Sequence, residues 1–73
     1  MSYIYKANLK TNYTDEFDYG FVEFCFNIQE VQGYYISKEH FICVVISGQI
    51  YELEYEKKLY ILIKKYFTPI SLN

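Results

Sequence analysis

Seventy-three residues carrying a net charge of −2 leave room for one domain and one core, and none for an interdomain cleft. All seven cations are lysines, and without the guanidinium fork that pairs bidentately with phosphate and guanine, direct nucleic-acid binding is disfavoured. The longest apolar runs, Phe41–Ile46 and Leu59–Ile63, fall far short of the roughly 20 residues that a helical membrane span needs.

Residues 2–10 alternate, with Tyr3, Tyr5, Ala7 and Leu9 on one face and Lys6, Asn8 and Lys10 on the other, the pattern of a half-buried strand. Residues 11–19 mix Thr, Asn and three acids and read as a connection. Residues 21–29 form the clearest strand, with Val22, Phe24, Phe26 and Ile28 sharing one face and Phe21, Glu23, Cys25 and Asn27 the other. The glycine of Glu30-Val31-Gln32-Gly33 suggests a turn leading into a strand at Tyr34–Ile36.

Ser37–His40 is a polar break. Phe41–Ile46 is short and continuously apolar, as a strand buried on both faces would be. Ser47-Gly48 then makes a tight turn into Ile50–Tyr55, the strongest hairpin in the chain.

The last segment carries two periods at once. Tyr55, Leu59, Leu62, Ile63 and Tyr66 follow helical spacing, with glutamates at the start, lysines at the end, a Glu54/Lys58 pair and Pro69 as a stop. Leu59, Ile61 and Ile63 also alternate. A helix is the better reading, because a Glu56-Lys57-Lys58 turn would lack any Gly, Asn or Asp. The expected fold is α+β: an antiparallel sheet of four or five strands with one C-terminal helix on a face. An all-β small barrel or meander is the alternative.

Ten Tyr and six Phe supply the bulk that a core this small needs, since each buried aromatic removes roughly 150–250 Å² from water. Tyr and Phe with the β-branched residues set against one alanine also favour strands. Heavy use of Phe, Tyr, Ile, Asn and Lys suggests an AT-rich coding sequence, as in a low-GC bacterium, its phage or a plasmid. Met1–Lys6 lacks a basic start followed by an apolar stretch, so a cytoplasmic location is expected.

No constellation for catalysis, metal or cofactor is legible. Cys25 and Cys43 read as small hydrophobes, and His40 with Cys43 lacks the four-ligand spacing of zinc. A Cys25–Cys43 disulfide would require adjacent strands. The sole histidine has no nucleophile and orienting partner at a recognisable spacing, and no phosphate-cradling glycine pattern occurs.

What stands out is tyrosine together with acid. Residues 1–56 hold all nine acids against Lys6, Lys10 and Lys38, a net of −6, whereas residues 57–73 hold four lysines and no acid. The expected function is therefore a non-enzymatic protein-binding module. It would act through Tyr13, Asp15, Glu16, Asp18, Tyr19, Glu52 and Glu54 on a partner with a basic groove. One concrete form is a phage or mobile-element inhibitor of a host nucleic-acid-handling enzyme, such as a CRISPR effector or a DNA-repair enzyme. A self-associating homo-oligomer or homodimer is the alternative, and no cofactor is expected.

Overall fold

The computed structural model describes residues 3–12 and 19–67. The first alternating segment is strand β1 (Ile4–Asn12), paired antiparallel with β2 (Tyr19–Asn27) over nine consecutive residues, from Ile4 opposite Asn27 to Asn12 opposite Tyr19. Tyr5, Ala7 and Leu9 turn inward on one face, opposite Phe26, Phe24 and Val22. Ala7 is 2% exposed, and its small side chain leaves room for Phe24, which stacks on Phe26 at 5.7 Å and on Tyr51 at 5.0 Å.

β2 ends where Asn27 caps a single 3-10 turn (Ile28–Glu30), its side-chain oxygen accepting the Gln29 N–H at 2.9 Å. The chain then enters β3 (Val31–Ile36) directly. The turn expected at Gly33 is therefore not there. The chain bends earlier, at the 3-10 turn that Asn27 caps, and Gly33 lies buried inside β3 beside a register shift between Val31 and Gly33. A glycine at such a bulge admits the close approach of the neighbouring backbone.

β4 (Ile42–Ile46) and β5 (Gln49–Leu53) complete the sheet. Val45 faces Ile50 and Ile46 faces Gln49, which leaves Ser47 and Gly48 as a two-residue loop at φ 52° and 78°. Positive φ at both central residues matches the right-handed twist of the flanking strands. Gln32 accepts the Gly48 N–H at 2.9 Å and ties this loop to β3.

All pairings are antiparallel, and the strand order is β2-β1-β5-β4-β3. β2 and β3 thus lie at opposite edges although only three residues join them. Four flat strand spacings would separate them by about 19 Å, more than the roughly 14 Å that four residue steps can span. The sheet must curl, and it does so without closing into a barrel. Ile28 N–H donates to Tyr3 C=O at 2.9 Å, extending the β1–β2 ladder one step beyond the Ile4–Asn27 pair. The two halves of the sheet meet at one register pair, Leu9 opposite Leu53, continued by Glu54 N–H to Asn8 C=O at 2.8 Å.

Helix α1 (Lys57–Tyr66) covers the inward face of the sheet. Leu59 and Ile63 are 0% exposed, whereas Ile61 between them is 56% exposed. That contrast is helical, since a strand would turn all three to one side. The rest of the expected stripe differs: Tyr66 is 60% exposed, and Tyr55 precedes the helix, where its ring stacks on His40 at 4.2 Å. The expected acidic start is also absent. The first turn holds no acid, Glu54 is not helical and so forms no helical pair with Lys58, and Glu56 serves as N-cap without a side-chain cap bond. Burial first, and then the nearby Glu56 charge, raises the Tyr5 hydroxyl above its ordinary range. Pro69 lies outside the described residues.

Candidate interaction surfaces

The residues with reactive side chains are dispersed. Cys43 on β4 is 1% exposed and Cys25 on β2 is exposed, and both thiols are free. β2 and β4 are separated by β1 and β5, so the two cysteines do not sit on adjacent strands and the disulfide geometry considered from sequence is not present. Burial pushes the Cys43 thiol up from its ordinary range, a shift that hydrogen bonding to Tyr35 and Ser37 only partly offsets. A raised thiol is a poor nucleophile at neutral pH. Labelling the native protein with a thiol reagent should therefore modify Cys25 at once and Cys43 only on unfolding. Two equally fast thiols in the folded state would show that β4 is open to solvent.

His40 sits at φ 69° in the β3–β4 turn, which closes through Phe41 N–H to Ser37 Oγ at 3.0 Å. Among the described residues no group of three or more His, Cys, Asp or Glu could hold a metal ion. A concavity of about 650 Å³ runs between the start of β1 and α1 past Tyr3, Tyr5, Leu62, Tyr66 and Phe67. Among the described residues no carboxylate, histidine or cysteine lines it.

The acids collect elsewhere. On β5, Glu52 lies between the inward residues Tyr51 and Leu53, so it points to the sheet face away from α1. The register runs from Glu52 across Lys10 to Phe21, and from Glu54 across Asn8 to Glu23. Three carboxylates from two non-adjacent strands thus share one face. Each has a neighbour: Lys10 Nζ lies 3.4 Å from Glu52, Lys6 Nζ lies 3.7 Å from Glu23, and Asn8 Nδ2 donates to Glu54 Oε1 at 2.8 Å. Two lysines against three carboxylates leave this face one negative charge in excess, and its exposed pairs contribute only about 0–1 kcal/mol each.

An aromatic cluster supports the same face. Phe21 meets Phe41 edge-on at 6.2 Å, and Lys10 lies 5.2 Å from the Phe41 ring centroid. Tyr35 stands in the same row as Cys43 and Glu52, and burial first, then those two neighbours, holds its hydroxyl protonated above the ordinary range.

Of the residues expected to bind a partner, Glu52 and Glu54 are brought together here, half-buried and already bonded to β1. Tyr19 opens β2 opposite Asn12. Tyr13, Asp15, Glu16 and Asp18 lie outside the described residues. Glu23 joins the face unforeseen. Its alternation with Phe21 and Cys25 is legible in sequence, but its nearness to Glu54 depends on β1 inserting between β2 and β5.

On the other side of the molecule, α1 turns Lys57, Lys58, Ile61, Lys64 and Lys65 to solvent, all on the side away from Leu59 and Ile63. Lys64 and Lys65 lie 5.4 Å from the ring centroids of Tyr60 and Tyr66. None of the four lysines makes an ion pair among the described residues.

No family model matches this chain, and neither curated proteins nor solved structures give a significant match.

Proposed function

We propose that the chain is a non-enzymatic protein-binding module whose acidic sheet face docks on a basic surface of its partner. The observation that carries this reading is the convergence of Glu23, Glu52 and Glu54 on one face, beside exposed Phe21. Aromatic and charged groups set on a rigid sheet present contact area at little entropic cost. Tyr13, Asp15, Glu16 and Asp18, in the sequence between β1 and β2, belong to the same proposed binding set.

A basic channel that normally holds nucleic acid is the partner surface best matched in charge. In this reading the protein inhibits a host nucleic-acid-handling enzyme, such as a CRISPR effector or a DNA-repair enzyme, from within the host cytoplasm. It uses no cofactor and does not itself bind nucleic acid.

Native mass determination after incubation with lysate from a low-GC bacterium tests this. The expected result is a shift onto one host protein that is lost in the E23Q/E52Q/E54Q variant, which keeps side-chain shape while removing charge. Capture that survives the triple substitution would move the docking surface elsewhere, and no capture would remove the reading.

A further inference from the structure

The two charged surfaces face away from each other. Leu59 and Ile63 hold α1 against the inward side of the sheet, so Lys57, Lys58, Ile61, Lys64 and Lys65 project outward from that side. Glu23, Glu52 and Glu54 occupy the alternate strand positions and project from the opposite side. One molecule cannot bring the two together, but two molecules can.

We infer that the lysine stripe of α1 docks on the acidic sheet face of a second copy, so that the chain associates head-to-tail. Three observations select a second copy over other anions. The stripe holds four lysines and no acid within ten residues, while the rest of the chain is acidic and would repel a phosphate polymer. The complementary surface is made of carboxylates spaced for it: Glu52 and Glu54 lie about 7 Å apart along β5 and its extension, and Glu54 and Glu23 about 10 Å apart across β1. Lys57 and Lys64 are separated by about 10 Å along the helix.

The apolar groups also match. Ile61, 56% exposed, sits among the lysines, and Ile50, 55% exposed, lies on the same sheet face as Glu52. Patches on opposite sides make a heterologous contact, which extends rather than closing as a two-fold dimer. This inference shares only the acidic face with the proposed function, and the same face can hold either a host protein or the helix of a second copy.

Light scattering on the purified chain across concentration, at about 20 mM and about 500 mM salt, tests it. Screening shortens the reach of surface charge from roughly 20 Å to a few ångströms over that range. The expected result is a mass that rises with concentration at low salt and falls to the monomer at high salt. K58E/K65E should weaken association at least roughly tenfold, since each exposed charge pair is worth a fraction of a decade to about one decade.

Mixing K58E/K65E with E23K/E54K, each shown folded by circular dichroism, should restore a complex, because both helix-on-face contacts between the two variants pair opposite charges. A monomer at all concentrations and low salt would overturn the inference, as would association untouched by K58E/K65E. So would a stripe that binds a DNA duplex or anionic vesicles while the chain alone stays monomeric. None of these outcomes depends on a host lysate, so failure here leaves the proposed partner reading standing.

Discussion

Leu53→Ala is expected to cost about 2–5 kcal/mol, the range for truncating a fully buried leucine that leaves a cavity. Leu53 is 0% exposed, opposite Ile42 on β4 and opposite Leu9 on β1. It belongs to the one register pair that joins the β1–β2 hairpin to the β3–β4–β5 meander, and the inner residues of α1 pack in the same core. A domain of this length has a total stability of about 4–11 kcal/mol. At mid-range the loss is about half of the whole, so the variant should stay folded in water and unfold at a much lower urea concentration. Urea unfolding followed by far-ultraviolet circular dichroism measures the change. A loss under about 1 kcal/mol would mean that the two halves hold together through contacts other than this junction. Ile50→Ala, at an exposed position in the same strand, is the control and should change stability by less than about 0.5 kcal/mol.

Raising the pH should unfold the protein. Burial lifts the hydroxyls of Tyr5, Tyr34 and Tyr35 and the thiol of Cys43 above their ordinary values, with the Glu56 charge adding to Tyr5. All four are acids that the fold keeps neutral. Their contribution is fully present below the pH at which the unfolded chain would ionise them, and it is lost as pH rises toward the folded values. For Cys43 that window opens near pH 9, and for the tyrosines near pH 10. Within it, each group protonated in the fold and ionised in the unfolded chain removes about 1.4 kcal/mol per pH unit. Tyrosinate absorbance from Tyr5, Tyr34 and Tyr35 should therefore appear above the ordinary tyrosine range and together with loss of structure. A single transition near pH 10 with the fold intact would show that these hydroxyls reach solvent in the native state.

Local chemistry made much of the fold legible. Alternation sufficed for β1 and β2 because one face of each strand meets the core, and Ser47-Gly48 sufficed for its hairpin because so few residues adopt positive φ in succession. Gly33 misled for the converse reason. A glycine permits a turn without requiring one, and the bend between β2 and β3 falls instead at the 3-10 turn that Asn27 caps.

The sequence by itself determined the strand-rich composition, the run of β4, the amphipathic C-terminal segment and the division of charge between residues 1–56 and 57–73. Each is a property of neighbours along the chain. Tertiary structure alone decided which period the C-terminal segment obeys, by burying Leu59 and Ile63 while exposing Ile61. It decided that Glu23 stands with Glu54, because β1 inserts between β2 and β5 and brings together residues more than thirty positions apart. It also decided that the basic and acidic surfaces look in opposite directions, since the burial of two helix residues against one side of the sheet sets where the four lysines must point.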